Sequence, residues 1–518
     1  MKNYDVLIIG CGIAGLSTAI TVAEKGLNVC VISKEEKLEE CNTYYAQGGI
    51  VASGKEDTPE KLKKDIYRAG SSLNCHESVD YLVRNGSGFV NDFLVNKLNV
   101  PFIRDENGEP DRTKEAAHSE RRIFHIKDET GKILEKSLLS YAQKNRNISF
   151  LKNHPAIDII TNSHNSTNTQ ERYKKTYAMG VYVLNTETEN VYPIFASSVV
   201  LATGGIGNLF LHTSNPESAT GDGIAMAYRA GVEIINAEYV QFHPTILFHR
   251  DVKRFLISEA LRGEGARLVT KKGEFFMDTY NPELKDLAPR DEVARAIYRE
   301  MESNGGYVLL DTSGIKNVSL IERFPGIYQK CKSLGIDITK DSIPVVPAAH
   351  YFCGGVKVDI NGRTRISGLF SVGETSCTGV HGANRLASVS LLEGLVFGIK
   401  TGEYIANKER TNSERPNSSI PEWIYPVEEE NFDPVLIRND LLNIQSTMWN
   451  YVGIIRTKKR LSRAISDLNY MNHRIEQFYK KAKISKEIIE LRNAVVTASI
   501  IAKSASKNPR STGCHFIQ

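Results

Sequence analysis

The pattern of hydrophobic and polar positions at the start of the chain predicts a strand, a helix and a second strand. The apolar run from Asp5 to Gly10 is rich in Val and Ile, which favour a buried strand. Apolar residues then recur at helical spacing from Ile13 to Lys25, and Gly26 ends that pattern. Val29 to Ser33 is a further apolar run. Strand, helix and strand within about thirty residues predict a βαβ unit with parallel strands.

Three glycines, Gly10, Gly12 and Gly15, lie where the first strand passes into the helix. In a βαβ unit this spacing is typical of dinucleotide binding, because glycine permits a tight turn and the helix start offers N–H groups to a pyrophosphate. The second strand ends in Ser33 and Lys34, where NAD sites usually have a ribose-binding acid. Lys34 therefore argues against NAD and favours a phosphate partner.

Loop, strand and helix signals continue beyond this unit. Thr43 to Gly49, TYYAQGG, is a loop of small and polar residues that suits a flat, polar ring system. Ser198 to Gly207 begins as an apolar strand, VVLAT, and runs into two glycines, the first of them Gly204. A helix then opens at the sequence Gly-Asp-Gly around Asp222, which either caps that helix or binds the cofactor.

The segment from Val372 to Glu393, VGETSCTGVHGANRLASVSLLE, is the most informative stretch of the chain. It combines a strand-to-loop glycine, a single acid at Glu374, the cation Arg385 and a helix start rich in small residues. It lies far along the chain from the loop at Gly10. The two segments together predict one large cofactor held at both ends by distant parts of the chain, and the cofactor they indicate is FAD.

These patterns predict an α/β fold in which a Rossmann-like FAD-binding domain is interrupted by an inserted α+β capping domain and followed by a C-terminal helical bundle. The first part of the FAD-binding domain comprises residues 1–236, and the second part residues 352–410. Residues 237–351 lose the strand-glycine-helix rhythm and form the capping domain, with hinges expected at its two ends. Residues 411–430, rich in Asn, Ser, Pro and Glu, form a linker, and residues 431–518 show helix-period segments.

Length and composition narrow the class of protein. With 518 residues, 41% of them hydrophobic and 24% charged, the chain implies about two to four domains. No apolar stretch approaches the ~20 residues that span a bilayer, and the first residues lead into a strand rather than a secretory signal. We therefore predict a soluble, cytoplasmic protein. The eight cysteines form no CxxC pair, so neither a disulfide framework nor a metal site is expected.

Charge is unevenly distributed along the chain. The net charge is +4, but residues 431–518 hold 15 Lys and Arg against 6 Asp and Glu, a net charge of +9. Such a segment could dock an acidic partner or nucleic acid. The alternative is a solvated helical surface that also raises the potential near an anionic substrate, and this is the reading we prefer. Neither a nucleic acid nor a membrane is expected as a partner.

Six motifs occur in an order that one superfamily shares. They are TYYAQGG at 43–49, QFHPT at 241–245, SEALRGEGA at 258–266, APRD at 288–291, PAAHYFCGGV at 347–356 and HGANRLASVSLLE at 381–393. Through them essentially the whole chain resembles the flavoprotein subunits of succinate dehydrogenase and fumarate reductase, and most closely the L-aspartate oxidase family.

The resemblance implies FAD that is bound without a covalent link. Asn42 stands where membrane-bound members of the superfamily have the histidine that bonds to the flavin. Motifs and resemblance together place the following residues at the cofactor: Gly10, Gly12, Ile13, Ala14, Gly15, Ser33, Lys34, Asn42, Thr43, Tyr44, Tyr45, Ala46, Gln47, Gly48, Gly49, Gly204, Asp222, Glu374, Ser390 and Leu391.

The resemblance also implies a C4-dicarboxylate substrate. Such a substrate brings two negative charges, which can be buried only against cations and hydrogen-bond donors, and Arg385 can meet a carboxylate with its planar fork. The predicted substrate-binding residues are Glu115, His243, Ser258, Glu259, His350, Arg385 and Ser388. The predicted catalytic residues are Arg290, His243, His350, Arg385 and Glu115. The alternatives are hydrogen-bonded core positions for the two histidines and salt bridges for the two arginines.

Discrimination between substrates is assigned to one acid. The segment TKEAAHSERR at 113–122 resembles the one whose glutamate faces the substrate amine in L-aspartate oxidases, and this places Glu115 there. A carboxylate favours aspartate over succinate because only aspartate carries an ammonium group. The alternative is a surface acid paired with a basic neighbour in the same segment. Ala116 and Ala117 follow Glu115 where the family usually has glycines.

The reaction implied is oxidation of L-aspartate to iminoaspartate, with hydride transfer to the flavin and reoxidation by oxygen or fumarate. It would begin quinolinate and NAD biosynthesis, with quinolinate synthase as a partner. Family precedent assigns proton transfer to Arg290, but a guanidinium is very hard to deprotonate, so Arg290 better suits a proton donor to fumarate or an electrostatic clamp. The alternatives are a soluble fumarate reductase or succinate oxidase, and a flavin-binding scaffold without catalysis.

Overall fold

The computed structural model describes residues 3–115, 117–316, 318–409, 420–426 and 433–518. The predicted βαβ unit is present as β1 (Asn3–Ile9), α1 (Ile13–Glu24) and β2 (Val29–Ile32). The two strands pair in parallel from Val6 against Val29 to Ile9 against Ile32. Almost every residue of α1 is buried, because the sheet covers one face and a later helix the other.

The rest of residues 3–236 supplies four further strands of the main sheet, strands of two smaller sheets, and helices. These elements are α2 (Asn42–Tyr45), β3 (Ile50–Val51), α3 (Pro59–Ala69), α4 (His76–Phe89) with a π-helical continuation over Val90–Lys97, β4 (Arg112–Thr113), β5 (Ile123–Phe124), α5 (Thr130–Gln143), β6 (Ile148–Leu151), β7 (Ala156–Thr161), α6 (Asn162–Asn165), β8 (Ala178–Asn185), β9 (Asn190–Leu201), α7 (Asp222–Arg229) and β10 (Ile234–Ile235).

The segment predicted as an insertion folds around a sheet of its own. Its elements are β11 (Val240–Leu247), α8 (Ala260–Gly263), β12 (Arg267–Val269), α9 (Met277–Tyr280), α10 (Arg290–Asn304), β13 (Val308–Asp311), α11 (Leu320–Arg323), α12 (Pro325–Ser333) and β14 (Ile343–Phe352). The four strands form an antiparallel sheet in the order β11-β14-β13-β12. Leu261, Ile297 and Phe324 belong to a core that is separate from the cores of the main sheet.

The chain then returns to the main sheet and ends in helices. The last elements are β15 (Gly355–Lys357), β16 (Leu369–Ser371), β17 (Ser376–Cys377), α13 (Val389–Glu409), α14 (Pro434–Val452), α15 (Lys458–Tyr479) and α16 (Lys486–Lys507). The last three helices pack on one another as a bundle. Of the predicted linker, residues 411–419 and 427–430 lie outside the described residues. Residues 420–426 pack on β8 and β9, where the Tyr182 hydroxyl donates to the carbonyl of Pro421 at 2.8 Å.

The main sheet has seven strands. Six follow the order β6-β2-β1-β9-β8-β7, and β16 pairs in parallel with β9. The pairs β6-β2, β2-β1 and β1-β9 are parallel, whereas β9-β8 and β8-β7 are antiparallel. The predicted apolar strand beginning at Ser198 is the end of β9, beside β1. The carboxyl ends of β1, β2, β9 and β16 therefore meet at one edge, the usual place for a ligand in such sheets.

Close packing of α1 against α13 aligns the two distant segments that were predicted to hold the cofactor. A Cβ on Gly398 would lie 2.3 Å from the Ser17 hydroxyl oxygen, and one on Gly402 would lie 2.9 Å from Cβ of Thr21. Glycine at these positions lets the helices approach, and the Thr18 hydroxyl donates to the Gly398 carbonyl at 3.0 Å. The start of α13 is thereby fixed beside the glycine loop.

The terminal bundle shares its core with the main sheet. Val181 and Val199 of the sheet lie in one hydrophobic cluster with Leu461, Val495 and Ala502 of the bundle. Among the described residues, no helix is both long and apolar enough to cross a membrane. The fold thus confirms the predicted architecture: a Rossmann-like α/β sheet, an α+β insertion and a C-terminal helical bundle.

Candidate active site

One elongated cavity runs from the glycine loop between β1 and α1 to the sheet of the insertion. Its lining includes every residue predicted at the cofactor except Gly15 and Tyr44, and every residue predicted at the substrate or in catalysis. Gly15 packs beneath the loop instead, since a Cβ there would lie 2.3 Å from the Gly10 carbonyl oxygen. Tyr44 contacts Tyr45 edge-on with the ring centroids 5.2 Å apart.

The glycine loop is shaped by contacts that exclude larger residues. Gly10 has φ +114°, and a Cβ there would lie 2.1 Å from the carbonyl oxygen of Ala202. A Cβ on Gly12 would lie 3.1 Å from the Thr43 hydroxyl oxygen, which accepts a hydrogen bond of 3.0 Å from the Ile13 N–H. Backbone therefore forms the floor of this end of the cavity, as a pyrophosphate site requires.

Lys34 lines the cavity in an ion-paired state. Its ammonium lies 2.7 Å from Asp222 Oδ2 and 2.6 Å from Glu490 Oε1, and it donates to the Thr220 hydroxyl at 2.9 Å. Burial lowers the pKa of Lys34, but the two carboxylates outweigh burial and raise it above the ordinary value. Asp222 is the first residue of α7 and Gly221 is its N-cap, so the capping alternative for Asp222 is wrong.

The middle of the cavity carries buried acceptors without partners. Asn42 donates through Nδ2 to Glu374 Oε2 at 2.9 Å, while the other carboxylate oxygen of Glu374 accepts the Phe352 N–H at 2.9 Å. Burial raises the pKa of Glu374 to about 7. Within the described chain, Asn42 Oδ1 and Gln47 Oε1 are buried and have no hydrogen-bond partner. Such oxygens suit a ligand that brings N–H or O–H donors, and FAD brings both, so these residues fit FAD.

At the far end of the cavity Arg385 is a buried cation among neutral partners. Its Nε donates to Gln241 Oε1 at 3.2 Å, its Nη1 donates to the Ser390 hydroxyl at 3.0 Å, and its guanidinium lies 4.6 Å from the ring centroid of Tyr351. In the part of the chain that the structure describes, no carboxylate is in ion-pair contact with it. Burial and the neighbouring Arg290 lower its pKa. The salt-bridge alternative for Arg385 is therefore wrong, and an anionic ligand would stabilise this charge.

Arg290, the first residue of α10, also lines the cavity but is tied to a carboxylate. Its Nε donates to Glu259 Oε2 at 2.6 Å, and Arg262 lies 3.4 Å from the other carboxylate oxygen. Burial raises the pKa of Glu259, but the two arginines reverse the effect, so the pKa is lowered. Gln241 Oε1 lies 3.5 Å from Arg290 Nη1 as well. Arg290 therefore lies in the site, as predicted, and also forms the salt bridge that was the alternative to a catalytic role.

The two predicted histidines lie side by side on β11 and β14. The ring centroids of His243 and His350 are 5.1 Å apart. His243 Nδ1 lies 3.0 Å from the Thr245 carbonyl oxygen, and His350 Nδ1 lies 2.7 Å from the Ser214 hydroxyl oxygen. Burial and nearby arginines lower both pKa values well below the ordinary range, so both rings are neutral at pH 7. The hydrogen bond at Nδ1 fixes the orientation of each ring, and Nε2 is left to bond a ligand.

Glu115 lies inside the cavity. Its Oε2 accepts a hydrogen bond of 2.9 Å from the Ser388 hydroxyl, 273 residues further along the chain. Lys114 instead donates to the Ser119 carbonyl and Arg121 to the Arg112 carbonyl, so the surface-pair alternative is wrong. Burial is the main cause of the raised pKa of Glu115. Ser258, also predicted at the substrate, lines the same end of the cavity.

The segment that carries Glu115 is anchored by a buried ionic network. Arg122 is fully buried and donates to Asp57 at 2.7 Å and to Asp65 at 2.7 Å. His118 Nε2 donates to the Ala387 carbonyl at 3.0 Å, and its Nδ1 accepts from Arg122 Nη1 at 3.2 Å. Because Ala387 precedes Ser388, this bond connects the two chain segments that hold Glu115.

We expect mild acid to weaken this anchor. Burial lowers the pKa of His118 to about 4, from about 6.5 in an unfolded chain. Because the pKa is lower in the folded chain, neutral His118 makes its full contribution to the free energy of unfolding above pH 6.5. That contribution is lost as the pH falls towards 4. At pH 5 the loss amounts to about 2 kcal/mol. Urea unfolding of the wild-type protein and of His118→Asn at pH 7.5 and pH 5 checks this, and an equal loss of stability in both proteins would contradict it.

Ala117 adopts a backbone conformation that favours glycine. Its φ is +68°, in the left-handed region, and glycine is the residue that the resemblance predicts at this position. Ala116 lies outside the described residues. We expect Ala117→Gly to leave the free energy of unfolding unchanged or raise it by up to about 1 kcal/mol, since relief of strain outweighs the added chain entropy. Ala464→Gly, in the interior of α15, is the control and should lower it by about 1 kcal/mol or more. A similar loss in both variants would contradict this.

Several residues in or next to the cavity lining were not predicted from the sequence. Gln241 bonds both arginines, Tyr351 lies against Arg385, Ser214 holds His350, and Leu256 adds an apolar wall. Gln241 and Tyr351 are part of the motifs QFHPT and PAAHYFCGGV, so motif membership was a usable signal for them. Ser214 and Leu256 lie in segments without such a signal.

Comparison with known proteins identifies the class of protein. Residues 5–391 match the family described as FAD binding domain, and residues 442–518 match the family described as fumarate reductase flavoprotein C-term. Among solved structures, an E. coli quinol fumarate reductase FrdA variant is 28% identical with a TM-score of 0.89, covering 100% of this chain and 92% of that one. Mycobacterium smegmatis Sdh1 is 30% identical with a TM-score of 0.83, covering 100% and 89%. The fold is that of the succinate dehydrogenase and fumarate reductase flavoproteins, and FAD is the cofactor.

Curated relatives narrow the class further. L-aspartate oxidase of Acinetobacter baylyi is 43% identical, over 99% of this chain and 93% of that protein. The enzyme of Halobacterium salinarum is 41% identical over 99% and 96%, and the chloroplastic enzyme of Oryza sativa is 37% identical over 100% and 82%. The chain belongs to the L-aspartate oxidase family. The resemblance found in the sequence is thus confirmed, whereas the absence of a covalent link to FAD stays a prediction.

Proposed function

We propose that this protein oxidises L-aspartate to iminoaspartate with FAD as the hydride acceptor. The observation that carries the proposal is the position of Glu115, a half-buried carboxylate that lines the cavity together with Arg290 and Arg385. L-Aspartate presents two carboxylates and one ammonium group. Arg385, whose partners are neutral, suits one carboxylate; Arg290 suits the other although it is also paired with Glu259, and Glu115 suits the ammonium.

Each protein group then has a distinct task. Arg385 and the Nε2 atoms of His243 and His350 bind and orient the substrate carboxylates, with Ser258 as a further donor. Glu115 binds the ammonium and selects aspartate over succinate. When bound, FAD supplies the acceptor for the hydride that leaves Cα. An ammonium nitrogen must lose two protons to give the neutral imine, so the substrate gives up one hydride and two protons in all. One proton must leave before the hydride, because an ammonium nitrogen has no lone pair with which to form the C=N bond.

During the oxidation of L-aspartate, Arg290 acts as an electrostatic clamp. The carboxylate of Glu259 at 2.6 Å stabilises its positive charge, and a guanidinium is not deprotonated in proteins. A protonated arginine cannot take a proton from the ammonium, but it can stabilise the substrate anion, and it can give a proton to fumarate when fumarate is the electron acceptor. Fumarate is therefore proposed beside oxygen as an acceptor that reoxidises the protein.

The insertion completes the site. Arg290 and Glu259 lie on it, whereas Arg385 and Glu115 belong to the main domain. When the insertion lies against the main domain it excludes water from the site, and this strengthens the charge contacts with the substrate. Asp128 of the main domain accepts the N–H groups of Gly326 at 2.9 Å and of Ile327 at 3.3 Å, at the start of α12. We propose that hinge motion near residues 237 and 351 opens this contact.

The product suggests a place in metabolism. Iminoaspartate is the precursor that quinolinate synthase condenses, so we propose a role at the start of quinolinate and NAD biosynthesis with that enzyme as the consumer.

A fumarate reductase or succinate oxidase is the second candidate function. It is favoured by the likeness to FrdA and by the chain of contacts from Arg290 through Glu259 to Arg262.

Anaerobic reduction of the flavin separates the two candidates. The purified protein, loaded with FAD, is mixed without oxygen with L-aspartate or with succinate while the visible absorption of the flavin is followed. We expect L-aspartate to bleach it, and oxygen or fumarate admitted afterwards to restore it. Bleaching by succinate but not by L-aspartate would overturn the proposal in favour of the second candidate.

A further inference from the structure

The terminal helix α16 presents a row of polar side chains to the edge of the cofactor cavity. Lys486, Glu490, Asn493 and Thr497 are spaced at three or four residues, so they lie on one face of the helix. We call this row the α16 polar face. Its members do not line the cavity, but each contacts the end of β2 or the start of α7, where cavity-lining residues lie.

The contacts of the α16 polar face follow the order of its residues. Lys486 Nζ lies 2.7 Å from both carboxylate oxygens of Glu35. Glu490 Oε1 lies 2.6 Å from Lys34 Nζ. Further along the helix, Asn493 donates to Asp222 Oδ1 at 2.8 Å, and Thr497 donates to the Gly221 carbonyl at 3.1 Å.

The pairs Lys486–Glu35 and Glu490–Lys34 have opposite polarity, and this fixes the position of α16 along its axis relative to the end of β2. The anion of the helix meets Lys34, and its cation meets Glu35, the next residue of the chain. A shift of α16 along its axis would bring like charges together. The four side chains of these two ion pairs are between 14% and 25% exposed, so solvent screens the pairs less than it screens surface pairs.

We propose that the α16 polar face is a second layer of the cofactor site: it positions Lys34, Glu35 and Asp222 for the nucleotide part of FAD, so that cofactor affinity depends on docking of the terminal bundle. Lys34 is the clearest case. With two carboxylates beside it, its ammonium is held at the cavity edge. With Glu490 neutralised, Asp222 is the one carboxylate left in contact with it among the described residues, and that pair is then held by Asn493, which donates to Asp222, and by Thr220, which bonds to both. The inference rests on FAD being the cofactor, as the proposed function requires.

The test compares FAD affinity with stability in matched variants. Apoprotein is titrated with FAD by quenching of flavin fluorescence, and the thermal midpoint of each apoprotein is measured. Glu490→Gln keeps the size of the side chain and removes its charge; we expect it to raise Kd for FAD about tenfold, the effect of losing one coupled contact. Lys486→Met is expected to act in the same direction. Lys483→Met breaks the exposed pair with Glu189, which lies away from the cavity, and is expected to leave Kd unchanged.

A double-mutant cycle shows whether Glu490 acts through Lys34. In a Lys34→Met background, Glu490→Gln should have little further effect on Kd, since the group that it positions is gone. A Kd in Glu490→Gln within about twofold of wild type, with only the thermal midpoint lowered, would show a purely structural contact and overturn the inference; so would full additivity in the cycle. Failure of the unchanged protein to bind FAD would contradict the proposed function itself.

Discussion

Replacing Arg385 with leucine is expected to lower kcat/KM for L-aspartate by about a thousandfold. Arg385 is buried, and its direct partners, Gln241 and Ser390, are neutral. Its charge is therefore available to the substrate, and removing one partner of a buried ion pair costs about 3–5 kcal/mol. Since each 1.4 kcal/mol is about tenfold in rate, the loss spans roughly two to four orders of magnitude.

Steady-state kinetics with oxygen as the acceptor measures this effect, with the FAD content of each preparation determined first. Arg385→Lys is the matched control. It keeps the positive charge but loses the fork that bonds Gln241 and Ser390, so an intermediate loss is expected. A kcat/KM for Arg385→Leu within about tenfold of wild type would mean that Arg385 does not bind a substrate carboxylate.

Replacing Glu115 with glutamine is expected to remove activity on L-aspartate selectively. Glutamine retains an oxygen that can accept the Ser388 hydroxyl, so the local structure is kept while the negative charge is lost. We expect kcat/KM for L-aspartate to fall by about 10²- to 10³-fold, because a buried ammonium loses its counter-ion. Fumarate carries no ammonium, so its reduction by the reduced protein should change by less than about threefold.

The same two assays, run on Ser388→Ala, provide the control for Glu115. This change removes a donor to the carboxylate but leaves its charge, and we expect a loss of about tenfold with L-aspartate, the effect of one hydrogen bond to a charged group. Equal losses with L-aspartate and fumarate in Glu115→Gln would contradict the role in selection. They would mean that Glu115 supports the general shape of the site.

Local sequence patterns were sufficient for the cofactor end of the molecule. The Gly10 loop, the strand before it and the helix after it are consecutive in the chain, and glycine is required there by backbone contacts that any βαβ unit creates. The role of Asp222 could not be decided in the same way. Its partners Lys34 and Asn493 come from opposite ends of the chain, and no local pattern records such a pairing.

Motifs identified the substrate end, but not its electrostatics. The sequence marked Arg290 and Arg385 equally, yet one is paired with Glu259 and the other has neutral partners. The difference depends on which side chains folding brings beside each guanidinium, which the motifs do not encode. Gln241, which contacts both arginines, could be assigned a task only after both were in place.

The sequence by itself therefore determined the class of fold, FAD as the cofactor and the side chains available for a dicarboxylate, because short motifs, each made of residues that are near neighbours in the chain, indicate all three. Only the tertiary structure decided which charges are neutralised and which remain for a ligand. Ser388 meets Glu115, and Glu490 meets Lys34, across several hundred residues. Such contacts arise from the packing of whole elements, so their charges act together only once the chain is folded.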